Sequence, residues 1–357
     1  MRVKNAENVC TGEQTIIHTG QEGDNKDEDI PKQRMKSPKR ILLEENTEVM
    51  LKRHILETGK LLVTRRGAVA AVVKRLKDYN MVVIAGVTGE GKTTLGREIC
   101  KQLRDGTLDK DIKPKTPVLM TIPQDWNDVV NDKDDIIVFV DDIFGKTNYQ
   151  TGLLNGWKPF FDRMLDCLQE KNVCLVLTSR THILKDARRE SGVFVEMVND
   201  HILSERKTVD LTDDQKLTST ERSDIYHNYY RQRKVDQGGL STVSVHSFPP
   251  NISLGFAQVC KLFVTNDKFF EKGEQFFMKP DRILTEEIEK MRLTEPHKYL
   301  ALVYCFLNDQ TVDSKKLNRL KISREDYETL KSYAEVCGDI QIDNALTLLK
   351  NGLYALD

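Results

Sequence analysis

The chain has 357 residues, 54 basic against 55 acidic, a formal charge of -1 and 39% hydrophobic content. That length allows two or three domains, and the near-zero charge gives no general reason to expect nucleic acid or an anionic membrane as the main partner. Seven cysteines are scattered without C-x-x-C spacing, and no apolar run approaches a membrane span or a signal-peptide core, so a cytoplasmic protein with reduced thiols is expected.

Residues 1–45 are polar and mixed in charge, with too little apolar surface to fold alone, and are expected to be a disordered tail. Near its end, Lys32, Arg34, Lys36, Lys39 and Arg40 surround Ser37-Pro38, a basic patch suited to docking or to plain solvation. A core is placed at 46–212, with an α/β pattern from about residue 60. A helix is predicted over 67–78, with Val69, Val72, Val73 and Leu76 on one face. Strands are predicted at 81–85, 117–122, 136–140, 173–178 and 207–211, with a helix near 157–168. Apolar strands alternating with helices argue for a parallel sheet covered on both faces. Residues 213–295 read as a helical segment, opened by the capping box Thr218-Ser-Thr-Glu221, with further helices through 256–263 and 285–291. The last stretch, 296–357, reads as a helical or winged-helix-like unit beginning with a helix at 297–307.

The chemistry concentrates at the first strand. Residues 86–93 read Gly-Val-Thr-Gly-Glu-Gly-Lys-Thr, a complete G-x-x-x-x-G-K-[ST] phosphate loop between a strand and an amphipathic helix carrying Leu95, Ile99 and Leu103. Gly86, Val87, Thr88, Gly89, Glu90, Gly91, Lys92, Thr93 and Thr94 are therefore the expected nucleotide contacts. The glycines let backbone N–H groups wrap a polyphosphate, and the helix N-terminus adds positive potential. Lys92 is expected to face solvent in the empty loop and to reach the β and γ phosphates, while the Thr93 hydroxyl takes a Mg²⁺ position.

A second motif, Asp134-Asp-Ile-Ile-Val-Phe-Val-Asp-Asp142, is a buried strand ending in acid. It would bring a carboxylate beside the loop, and Asp141 is the candidate Mg²⁺ holder. Asp142 is the candidate for orienting or deprotonating water, against the plainer reading of a turn-forming aspartate. A third run, Leu175-Val-Leu-Thr-Ser-Arg180, would deliver Arg180 to the γ-phosphate side, against a plain surface arginine. Asp142-Ile-Phe-Gly145 satisfies the D-x-x-G of GTPases, yet the strand that should end in Asn-Lys-x-Asp ends in Thr-Ser-Arg, so ATP or ADP is expected rather than GTP. The mixed cluster Tyr226, His227, Tyr229, Tyr230, Arg231 and Arg233 fits a helix with a core face better than an RNA surface.

Taken together, Val-Asp-Asp-Ile-Phe-Gly at 140–145 and Leu-Thr-Ser-Arg at 177–180 resemble the novel STAND NTPase 3 family, STAND standing for signal transduction ATPases with numerous domains. Supporting matches are Val63-Thr-Arg65, Pro123-Gln-Asp-Trp126 and Leu217-Thr-Ser-Thr-Glu221. The resemblance implies a P-loop NTPase core with a five-stranded parallel sheet, an all-helical lid and a winged-helix-like unit. It implies an ATP/ADP switch in signalling, of the innate-immune or cell-death kind, with slow Mg²⁺-dependent hydrolysis, ATP-dependent homo-oligomers and adaptor or effector partners. Relatives carry Gly-x-Pro in the lid, its proline contacting nucleotide. Here Gly255-Phe256-Ala257 stands in that place, or Pro249-Pro250 supplies the rigidity. Relatives also carry an N-terminal effector, which 45 polar residues are not expected to form. A turnover ATPase of AAA+ type, with Arg188 or Arg189 acting in trans, and a small-molecule kinase remain as alternatives.

Overall fold

A computed structural model gives the fold and describes residues 36–58, 65–131, 133–192, 201–233 and 254–296, with 298–299, 302–303 and 332 as isolated positions. The chain opens with α1 (Pro38–Thr58), followed by α2 (Arg66–Tyr79), β1 (Met81–Gly86) and α3 (Lys92–Arg104). Then come β2 (Thr116–Leu119), α4 (Trp126–Val129), β3 (Ile136–Val140), α5 (Thr151–Trp157), α6 (Phe161–Gln169), β4 (Val173–Arg180), α7 (Thr181–Glu190) and β5 (Thr208–Asp210). The helices α8 (Ser219–Gln232), α9 (Phe256–Thr265), α10 (Asp267–Glu271), α11 (Glu274–Met278) and α12 (Pro280–Thr294) follow.

The five strands form one parallel sheet in the order β2-β3-β4-β1-β5. Their continuous apolar runs exist because both faces are covered. Met81, Val83, Ile136, Val138, Leu175 and Leu177 face one core with Trp126, Trp157 and Met164. Val82, Ile84, Ile137, Phe139 and Val176 face the other, with Val72, Leu76, Ile99 and Leu103. This is the α/β P-loop NTPase architecture that the motifs imply. All crossovers pass over the sheet, so every strand C-terminus points to one edge, where the loops after β1, β3 and β4 meet.

Four details differ from expectation. The helix at 67–78 is centred on Ala68, Val72 and Leu76, while Val69 and Val73 are only half-buried. The single helix predicted near 157–168 is two, broken by a tight turn over Lys158–Phe160, where Pro159 offers no N–H to the ladder. The expected strand 117–122 stops at Leu119, ahead of a turn that starts at Pro123.

The fourth is the tail. Residues 38–45, expected to be disordered, form the first two turns of α1. The helix covers the edge strand β2, where the Leu119 N–H donates to Thr47 Oγ1 at 2.7 Å. Basic residues read as a free patch are spent inside the molecule: Arg40 is buried against Glu44 and Asp134, Lys36 pairs with Glu44 at 2.7 Å, and Lys39 pairs with Asp125 at 3.2 Å. Lys32 and Arg34 lie outside the described residues.

Helices α8 to α12 share a separate aromatic core. Phe263 meets Phe277 at 4.8 Å and Phe269 stacks on Phe276 at 4.7 Å between ring centroids. Tyr226 packs into this cluster, so the aromatic face of α8 is core rather than a nucleic-acid platform. The capping box forms as predicted: the Glu221 N–H donates to Thr218 Oγ1, and the Thr218 N–H donates to the Glu221 carboxylate. The winged-helix-like unit expected at 296–357 falls almost wholly outside the described residues.

Candidate functional site

The loop Gly86–Thr93 leaves β1 and enters α3. Gly89 (φ 76°) and Gly91 (φ 91°) adopt left-handed backbone, which glycine reaches without a Cβ penalty. They curl the chain into α3, whose first turn, at Lys92, Thr93 and Thr94, leaves its N–H groups without partners inside the helix. Lys92 does not face solvent as expected. Its side chain is buried, and Nζ donates to Val87 O at 2.9 Å across the loop. Burial lowers the Lys92 pKa, opposed by the negative charge of Asp142; Arg180 lowers it further, while Asp141 and Glu90 raise it.

The loop is held from outside. Arg65, just before α2, donates to Glu90 O at 2.9 Å, to the Glu90 carboxylate at 3.1 Å, to Leu211 O at 3.1 Å and to Gln215 O. One planar guanidinium thus ties the loop to the end of β5 and to the segment leading into the lid. The Val87 N–H donates to Thr212 Oγ1 at 2.9 Å. Sequence reading gave Arg65 and Thr212 no role.

At the tips of β3 and β4 the acids meet the loop. Thr93 Oγ1 donates to Asp141 Oδ1 at 2.8 Å. The same carboxylate oxygen accepts from Thr178 Oγ1 at 2.6 Å, and Thr178 Oγ1 in turn accepts from the Asp142 N–H at 2.8 Å. Because β4 lies between β1 and β3, Thr178 bridges the two motifs. It stood within the Leu-Thr-Ser-Arg run, but only its strand neighbours could assign it this task. Arg180 pairs with Gly86 in the β1–β4 register, near enough for its charge to act on both Lys92 and Asp142.

Asp142 has left-handed backbone (φ 48°), a conformation aspartate tolerates better than most residues. Burial, and then the neighbouring Asp141 charge, push its pKa up to about 6, against the pull of Lys92, Arg180 and Lys146. It borders a cavity of about 280 Å³ that Thr121, Lys146, Gln150 and Trp157 also line. The raised pKa has a stability consequence. A folded-state value above the unfolded one gives a contribution that is full below the unfolded pKa and lost as pH rises through about 6. Asp142→Asn removes the charge that the fold disfavours. The variant without nucleotide is expected to melt roughly 2–4 °C higher than wild type at pH 8, what ~1 kcal/mol gives a domain of this size. The gap should close by pH 4. Thermal melts at both pH values check this, and an equal gap at both would show that Asp142 is not strained by its charge.

The lid reaches the same loop. The Gly255 N–H donates to Thr88 O at 2.7 Å. A Cβ at Gly255 would overlap the Gly89–Glu90 peptide, and a Cβ at Gly89 would overlap the Gln258 side chain. Gly255 therefore lies backbone to backbone on the phosphate loop at the N-terminus of α9. Phe256 and Ala257 pack into the lid's aromatic cluster. Pro249 and Pro250 lie outside the described residues. Arg188 is engaged internally: it donates to Leu203 O at 2.8 Å and to Thr208 Oγ1 at 2.7 Å. Arg189 is exposed and pairs with Asp186 at 2.9 Å.

Among solved structures, the Walker-type ATPase Paby2304 of Pyrococcus abyssi is 12% identical, with 81% of this chain and 96% of that one covered and a TM-score of 0.37. AMPPCP-bound DnaA from Aquifex aeolicus is 12% identical, with 79% and 86% covered and a TM-score of 0.30. No curated protein matches the chain. The model of the family described as Novel STAND NTPase 3 matches residues 64–232, a span that runs from just before Arg65 to the end of α8. Over those residues the chain is similar to the Novel STAND NTPase 3 family.

Proposed function

We propose that this chain is an ATP/ADP-binding molecular switch with slow Mg²⁺-dependent hydrolysis. The observation that carries the reading is the Gly255–Thr88 contact, which makes the lid a direct neighbour of the phosphate loop. A loop that must adjust to its ligand then adjusts the lid as well, and the ligand shifts the lid only by its differential affinity for the two arrangements. The loop fits a polyphosphate. It combines the open N–H groups of the first helical turn with a buried cation that burial disfavours and that an anion would relieve. Thr93 and Asp141 would hold Mg²⁺, which keeps most of its shell in water and phosphate oxygens and so needs no protein cage. When bound, that ion supplies charge neutralisation at the phosphates.

In this reading Lys92 orients the phosphates, Asp142 holds the proton of the attacking water, and Arg180 senses the terminal phosphate. A place in signalling, innate immunity or cell death rests on the family resemblance, and a cytoplasmic location on Cys100, Cys174 and Cys260 being buried thiols. Mass spectrometry of nucleotide released from denatured protein tests the switch: ADP or ATP should co-purify near one per chain, with slow turnover. Fast multiple turnover with an empty purified site would favour a motor or kinase instead.

Assembly is expected to respond to ATP through Arg180. A lost charge-assisted contact costs roughly 1.5–3 kcal/mol, about tenfold or more in the open-to-closed ratio. Arg180→Ala should blunt any ATP-dependent rise in mass by light scattering while leaving ADP affinity nearly intact. A rise that the variant leaves untouched would remove this residue as the sensor.

A further inference from the structure

The outer face of α1 is apolar although its inner face is already used. Thr47, Leu51 and His54 point inward and are buried, and the helix packs on β2, α3 and α4. Outward stand Ile41 (45% exposed), Leu42 (51%), Val49 (65%), Ile55 (39%) and Leu56 (85%). Among the described residues these are five of the ten exposed large apolar side chains, so the exposure is concentrated on one helix rather than scattered. Leu42, Val49 and Leu56 recur every seven residues and form one ridge, with Ile41 and Ile55 on its flank. A helix apolar on both sides is ordinarily covered on both.

The pattern also says what covers it. Between the apolar borders lie Glu45, one turn before Val49, and Lys52, one turn after it, both exposed. The stripe is therefore antisymmetric in charge and symmetric in apolarity about its midpoint. Turned end for end about the point between Glu48 and Val49, it complements itself: Leu42 of one copy lies beside Ile55 of the second, Ile41 beside Leu56, and Glu45 beside Lys52, each twice over. Antiparallel helices also oppose their dipoles favourably. A parallel alignment in register would set Glu45 on Glu45 and Lys52 on Lys52, which like-charge repulsion disfavours.

We infer that α1 is a two-fold pairing face, on which a second copy of this chain docks its own α1 antiparallel about the point between Glu48 and Val49. Such an interface is isologous and closes at two copies. It goes beyond the switch reading, because α1 packs on β2, α3 and α4 and takes no part in the lid contact, so the pairing does not depend on which nucleotide is bound.

The test uses the full chain saturated with ADP, at roughly 100 µM because a helix-pair interface below ~1,200 Å² associates weakly. Sedimentation velocity should show a dimer in equilibrium with monomer. Glu45→Lys and Lys52→Glu should each weaken pairing by about tenfold or more, since each places like charges together at two symmetric positions. The double variant, Glu45→Lys with Lys52→Glu, should restore it. Both substitutions are at exposed positions, and thermal melts check the fold of all three variants. Wild-type protein that stays monomeric would overturn the inference. So would a dimer insensitive to the single reversals, or one that the double reversal fails to rescue, as expected if some other surface or partner uses this face.

Discussion

Replacing Lys92 by alanine is expected to weaken ATP and ADP binding by ~100-fold or more while the chain stays folded. Lys92 Nζ already points back across the loop to Val87 O, the position from which it would reach bound phosphates. Two charge-assisted hydrogen bonds at roughly 1.5–3 kcal/mol each would be lost, and each ~1.4 kcal/mol is a factor of ten. The fold should tolerate the change, because what is removed is a cation that burial disfavours, outside the two apolar cores of the sheet. Lys92→Met keeps most of the stem and loses only the charge, so it should bind as poorly as the alanine variant. Titration calorimetry beside thermal melts measures both effects. Unchanged affinity in a folded Lys92→Ala protein would remove the loop as the binding site. Retained affinity in Lys92→Met alone would assign the loss to packing rather than charge.

Lys92 also marks the limit of what the sequence discloses. The phosphate loop, its flanking strand and its helix are legible because spacing alone builds them: glycines where the backbone must curl, apolar residues at helical intervals after Lys92. The strands β1, β3 and β4 are legible because burial on both faces leaves unbroken apolar runs at Met81–Gly86, Ile136–Val140 and Val173–Leu177. The inward turn of the Lys92 side chain is not legible, since it depends on a carbonyl five residues away in a loop whose shape is set by Gly89 and Gly91. Strand order is not legible either. That β4 lies between β1 and β3 makes Thr178 the bridge between Asp141 and the Asp142 backbone, and no local pattern separates it from Ser179 beside it. Helix α1 was hidden for another reason. Its buried face carries Arg40, Thr47 and His54, which look solvated until Asp134, the edge of β2 and Glu98 come to lie beside them. Arg65 stood in the Val63-Thr-Arg65 match, but its grip on Glu90, Leu211 and Gln215 joins residues up to 150 positions apart.

Gly255→Val is expected to lift the lid off the phosphate loop without unfolding either part. At this position the lid's backbone rests on the Gly89–Glu90 peptide, so a side chain has no flexible neighbour to push aside; one of the two main chains must move. The loop is anchored by Arg65 and by Thr212, so the lid segment is the part that yields. The Gly255–Thr88 hydrogen bond, worth ~0.5–1.5 kcal/mol, goes with it. The helices α8 to α12 keep their own aromatic core around Phe263, Phe276 and Phe277, which nothing at Gly255 supports, so they should stay folded as a unit. Hydrogen exchange should therefore rise at residues 86–91 and 255–258 and remain unchanged in the second half of α9. If the lid retains nucleotide, ADP should also dissociate about tenfold faster or more, since ~1.4 kcal/mol of lost closure already gives that factor. Gly152→Ala is the control, because a Cβ there meets nothing and its backbone is unstrained. Wild-type exchange in the Gly255→Val protein would mean that the lid does not rest on the loop in solution. Faster exchange with an unchanged ADP off-rate would separate the two parts of the argument: the contact would be real, but it would not couple lid position to nucleotide, and the switch would have to work through another surface.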